Sequence, residues 1–248
     1  LEVMGFGTTE LAFSGGPSRT VVNQPANTWR YFTVDVPEAT AANGLLGWDL
    51  RVRNVQSGDP RMVISRDTPV ETVQHQPWYI YTQATFQTGW SYASATDMST
   101  RPYEPYVPNV NVPIHYYRTA QMGFGSPLQP GRYYVGITSA TTDAMSYELV
   151  SRAIGEGGAW EIQVQPLGFD GEGSEAQITQ LAPRETAYFR VDVPVDAKSW
   201  EAEVVPTGTG ELNLTTRRGN LPNQDAGSGT SDDGSAGGVR RSRVGGEL

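Results

Sequence analysis

Cysteine is absent from this 248-residue chain. Its absence excludes disulfides, thiolate-held zinc and thiol catalysis. Histidine is almost absent as well, His75 and His115 being the two present. A catalytic zinc site draws on two or three histidines at defined spacing, and no H-E-x-x-H pattern occurs. No serine stands in a G-x-S-x-G turn. Asp and Glu lie mainly beside turns, where a solvated surface role is the default, so nothing singles out a carboxylate pair for glycoside hydrolysis. No catalytic residue stands out, and a non-enzyme is expected.

Positive charge is scarce: 18 Lys and Arg stand against 27 Asp and Glu, for a formal charge of −9. Nucleic acid needs clustered cations to neutralise phosphate, so it is excluded as a partner. No apolar run approaches the roughly 18 residues of a membrane-spanning helix. No stretch of ten residues shows helical period with caps.

What is abundant is turn chemistry, with 28 Gly and 17 Pro. Between the turns lie short segments of period two, the signature of half-buried strands. One of them is written twice. Residues 31–37 read YFTVDVP and residues 188–194 read YFRVDVP, six of seven identical at a spacing of 157. In the first copy Phe32, Val34 and Val36 share a face; in the second Phe189, Val191 and Val193 do. WDLRVRNV (Trp48, Leu50, Val52) is answered by WEAEVVP (Trp200, Ala202, Val204), and RMVISRDTP (Met62, Ile64) by ELNLTTRRGNLP (Leu212, Leu214). Only the first copy continues into LQPGRYYVGI and SYELVSR, a closing hairpin after the Pro130-Gly131 turn. Phe32, Val34, Trp48, Leu50, Ile64, Tyr133, Val135 and Tyr147 are expected to share one core.

The expected fold is all-β, with two jelly-roll-like β-sandwich modules in tandem, the second incomplete. The first spans residues 1–155 with an insertion at about 70–120. A linker strand and the partial second module follow over 156–222. Residues 223–248 form a Gly/Ser/Asp-rich flexible tail.

The run YF-x-VDVP, W-x-L-x-V, DPRMVISRDTP, L-x-PGRYYVGI and SYEL resembles the bacterial pre-peptidase C-terminal domain. The resemblance covers residues 18–152 as a whole copy and 174–222 as a front half. It implies a jelly-roll-like sandwich acting as a non-catalytic accessory module of secreted bacterial proteins, some of which aid secretion or bind calcium, collagen or chitin. The family's binding positions are not matched, and some fifty residues between Pro69 and Gln121 are extra.

That insertion holds ten of the 25 aromatic residues. Aromatic rings stack on sugars and prolines and give rigid contact area at low entropic cost, but they also build a mini-core. As a binding platform for polysaccharide or an extracellular protein, the segment offers Trp78, Tyr79, Tyr81, Trp90, Tyr92, Tyr103 and Tyr106. Calcium takes oxygen ligands from acidic loops. Two loops supply them: GFDGEGSE, with Asp170, Glu172 and Glu175, and DAGSGTSDDG, with Asp225, Asp232 and Asp233. Neither follows the EF-hand template, and the first is the better candidate.

The chain opens LEVMGFG, with neither initiator Met nor signal peptide, and is expected to be a piece of a longer secreted or surface protein. Its function is expected to be adhesion, spacing or head-to-tail assembly; the alternative is a carbohydrate- or protein-binding accessory module of a secreted hydrolase. The unfinished second copy leaves apolar residues (Phe189, Val191, Trp200, Leu212) and a strand edge uncovered. Either the longer polypeptide supplies the missing strands, or a neighbouring subunit donates one and builds a homo-oligomer or filament. The N-terminal LEVMGFGTTELAFSG, in which Leu11 and Phe13 alternate with Glu10 and Ala12, is the expected donor.

Overall fold

The computed structural model of the chain describes residues 7–58, 60–67, 91–94, 117–123, 128–139, 142–171, 173–182, 185–205, 212–216, 218–219, 221–222 and 241–244. Among them there is no helix, and hence none long and apolar enough to cross a membrane. The strands are β1 (Thr8–Glu10), β2 (Arg19–Gln24), β3 (Arg30–Val36), β4 (Leu45–Ser57), β5 (Pro60–Arg66), β6 (Ser91–Ser94) and β7 (Tyr117–Met122). They continue as β8 (Gly131–Ser139), β9 (Met145–Gly155), β10 (Ile162–Leu167), β11 (Tyr188–Val191), β12 (Leu212–Thr215) and β13 (Arg241–Val244).

Two mixed sheets form a sandwich-like arrangement. One has the order β1-β3-β8-β5. The other runs β11-β10-β9-β4-β7-β6, with β2 also paired to β9. Alternation decides what each sheet buries. Phe32 and Val34 from β3, Ile64 from β5, and Tyr133, Val135 and Ile137 from β8 meet Trp48, Leu50 and Val52 from β4 and Tyr147 and Leu149 from β9 in one apolar cluster. All eight residues expected to share a core lie in it. Enclosing a side chain of this size is worth about 1.5–3 kcal/mol, and the two faces together make the centre of stability. Its polar atoms are served: Trp48 Nε1 donates to Ser151 Oγ at 2.8 Å, and Tyr147 Oη to Gln24 Oε1 at 2.7 Å.

The closing pair is not a hairpin. β8 lies between β3 and β5 in one sheet, whereas β9 lies between β2 and β4 in the other. The chain crosses the sandwich between them, which is why Val135 and Tyr147 reach the same core from opposite sides. The insertion contributes to this framework: β7 pairs with β4, Ala120 and Met122 enter the core, and β6 pairs with β7.

The N-terminal segment expected to serve as a donor is used within its own module. β1 runs parallel to β3, Leu11 N donates to Thr33 O at 2.9 Å, and Leu11 and Phe13 are buried in the core. Donating this segment to a neighbour would empty the donor's own core. Residues 241–244 of the Gly/Ser/Asp-rich stretch form β13, which pairs antiparallel with β12. The stretch from Trp200 to Val205, expected as a strand, forms none. Its counterpart β4 is held by β9 and β7; the second copy has no such partner among the described residues.

Candidate interaction surface

The repeat is visible in the backbone as well as in the sequence. β1 pairs parallel with β3, placing Thr8 beside Tyr31; β10 pairs parallel with β11, placing Val164 beside Tyr188. Asn23 and Gln180, each eight residues before those tyrosines, both adopt the left-handed region, with φ of 53° and 59°. Few side chains accept that conformation, and it recurs at the same distance ahead of both strands.

The two copies are buried differently. In β3 the inward face is Phe32, Val34 and Val36, all enclosed. In β11 it is Tyr188, from the other face, that is buried, while Phe189 is 37% and Val193 42% exposed. Trp200, the counterpart of the fully buried Trp48, is 45% exposed. The second copy of the repeat rests its outer face on the sandwich and leaves open the side that the first copy closes into a core.

A buried ionic cluster fixes it there. Asp49 and Arg51 lie on β4 between core positions, so they point to the opposite face. Register places Gln121 of β7 and Arg152 of β9 directly beside Asp49. Asp49 is fully buried and accepts hydrogen bonds from Arg51 at 2.8 Å, Arg152 at 2.9 Å and Gln121 at 2.8 Å. Burial pushes the Asp49 carboxyl up, but Arg51, Arg152 and Gln121 together outweigh it and hold it below its ordinary value. Glu185, just ahead of β11, completes the set by pairing with Arg152 at 2.9 Å and Arg51 at 3.6 Å. Two carboxylates and two guanidiniums balance, as buried charges must. Tyr188 packs beside them, with Ile154, Val164 and Leu221, and burial raises its hydroxyl well above the usual phenol range.

The segment between the copies is fastened rather than free. Trp160 Nε1 donates to Asn43 O at 2.8 Å, and its ring meets Phe13 edge-on at 6.5 Å between centroids. Glu161 accepts from Ser14 Oγ at 2.5 Å, from Ala153 N at 3.1 Å and from Gly15 N. Burial raises the Glu161 carboxyl, and these donors outweigh it and lower it. Arg190 of β11 reaches Glu156 at 2.5 Å. Together these contacts fasten the segment that leads to the open face.

Of the residues expected to bind a ligand, Trp78, Tyr79, Tyr81, Trp90, Tyr103 and Tyr106 lie outside the described residues. Tyr92 falls on β6, at the register position opposite Ala120. For calcium, Asp170 and Glu175 are exposed on a turn closed by the Ser174 N to Gly171 O hydrogen bond at 3.2 Å. Glu172, Asp225, Asp232 and Asp233 lie outside the described residues, among which no group of three acidic or histidine side chains stands close enough to hold a metal ion. Asp49, Arg51, Gln121, Arg152 and Glu185 were not singled out from the sequence. The alternation D-x-R on a strand with a tryptophan face was the available signal, but it marks only a polar face, not one covered by residues 136 positions away.

The chain matches no protein-family model, no curated protein and no solved structure.

Proposed function

We propose that the chain is a non-catalytic pair of jelly-roll-like β-sandwich modules, the second incomplete, from a larger secreted or surface protein, and that it acts in adhesion, spacing or head-to-tail assembly. One observation carries this reading: the second copy is anchored through its outer face while Phe189, Val193 and Trp200, at core positions of the repeat, stay open. An anchored strand with an open apolar face of this kind marks a contact surface. The likeness of the first copy to the pre-peptidase C-terminal domain agrees with an extracellular, accessory role.

Sedimentation velocity over a range of concentrations, with capture on polysaccharide and collagen, tests it. Association or capture that is reduced by Phe189→Asp is the expected result. A chain whose mass and capture are the same with and without that change does not act through this face.

A second reading, a carbohydrate- or protein-binding accessory module of a secreted hydrolase, is favoured by the aromatic insertion. Capture that depends on Trp90 and not on Phe189 supports it.

A further inference from the structure

We infer that the free edge of β11 takes an extended strand of the composition of β8, supplied by another polypeptide, antiparallel and with its arginine on Asp192. The inference rests on the assembly reading above and names the chemistry of the partner.

The first copy shows what the repeat requires. There β3 has β1 on one edge and β8 on the other, with Phe32 opposite Val135, Val34 opposite Tyr133 and Asp35 opposite Arg132. The last pair is a two-pronged ion pair, both contacts at 2.7 Å. The second copy repeats the first part of this arrangement. β10 flanks β11 as β1 flanks β3, and Phe189, Val191 and Asp192 follow in the same order. Among the described residues nothing pairs with the other edge of β11. The Asp192 side chain is 82% exposed and meets Arg190 at 3.3 Å, so its carboxylate is accessible to an incoming guanidinium. An unpaired edge beside an open apolar face recruits a strand: backbone hydrogen bonds give affinity, and alternate side chains give choice of partner.

Among the described residues, no strand of this chain fills the position. β8 is paired on both edges, and β1 is built into its own module. The tail strand β13 pairs with β12, the counterpart of β5, but carries Ser242 and Val244 where β8 sets Val135 and Ile137 against β5. It brings too little apolar side chain to close a core. The partner is therefore a strand alternating aromatic and aliphatic residues behind an arginine, like GRYYVGI.

The test uses the full 248-residue chain and a labelled synthetic peptide of residues 129–139, QPGRYYVGITS, with binding read by fluorescence anisotropy. Saturable binding is expected, lost in Phe189→Asp. An exposed ion pair is worth up to about 1 kcal/mol, so Asp192→Arg should weaken the peptide about fivefold. A peptide carrying Arg132→Asp should regain that loss on the Asp192→Arg chain and bind the parent chain poorly. Circular dichroism unchanged in both variants shows that they fold. No binding, or binding indifferent to both substitutions, overturns the inference. So does self-association that depends on Phe189 and that the peptide does not compete with: a second copy then covers the face, and the assembly reading stands without the strand.

Discussion

Phe32 and Phe189 hold the same place in a repeated YF-x-VDVP strand, yet Phe32 is fully enclosed and Phe189 is 37% exposed. The difference lies in the neighbours, not in the strands. Phe32 faces a second sheet and has Val135 beside it on β8. Phe189 has β10 on one edge and, among the described residues, no strand on the other. Substituting serine at the two positions should separate them cleanly. Phe32→Ser is expected to unfold the sandwich, whereas Phe189→Ser, at a side chain partly in water, should cost only about 1 kcal/mol. Urea denaturation followed by circular dichroism reads both; a large loss at position 189 would mean that its face is already covered.

Val135 tests the sandwich core itself. It is fully buried between Phe32 on β3 and Ile64 on β5. Truncation to Ala loses transfer energy and leaves a cavity, and should cost about 2 kcal/mol. Denaturant midpoints measure this, and a value near zero would be inconsistent with the two-sheet packing.

Asp49 is the centre of the clamp between the copies. Asp49→Ala leaves Arg51 and Arg152 in a covered site with one fewer carboxylate, at a cost of about 3–5 kcal/mol. Because Glu185 loses its counter-ions' alignment at the same time, limited proteolysis should cut more readily near residues 185–205. Equal cutting of variant and parent would show that the cluster does not hold the second copy.

The same cluster sets the response to acid. The folded Asp49 carboxyl lies below its ordinary value of 3.8, and that of Glu161 below 4.5. The unfolded chain therefore binds more protons between the folded and ordinary values. Stability is fully present above the ordinary values and declines as pH falls through the folded ones. Urea midpoints should be level from neutral pH down to about 5 and fall below about 4.5, less steeply in Glu161→Gln. A midpoint that rises on acidification would contradict the sign.

Gln180 carries the left-handed backbone that Asn23 carries in the first copy. Asn tolerates φ of this sign better than Gln, and Gly bears it without a side-chain clash. Gln180→Gly is expected to raise stability by up to about 1 kcal/mol, and Asn23→Ala to lower it by about as much. Thermal melts decide between this and a rebuilt turn, which would leave both values unchanged.

Much of the framework was legible before any coordinates. Period-two alternation defines the apolar face of each strand, so Phe32, Val34, Trp48, Leu50, Ile64, Tyr133, Val135 and Tyr147 fall into one cluster as their spacing implies. The all-β class follows from the same pattern and from the turns. The repeated stretch was legible in YFTVDVP and YFRVDVP, because six identities in seven residues require no coordinates. Alternation, however, says only that a strand has two faces; what covers each face is a long-range choice. Tertiary structure sent β8 and β9 into opposite sheets, used Leu11 and Phe13 within their own core, and laid Tyr188 rather than Phe189 against the first module. It also gathered Asp49, Arg51, Gln121, Arg152 and Glu185 from four separate stretches of chain. Each of those side chains alone reads as a solvated polar residue. Only the packing of one copy on the other removes the water, and that packing depends on contacts far apart in sequence, from Arg152 with Glu185 to Arg51 with Glu185.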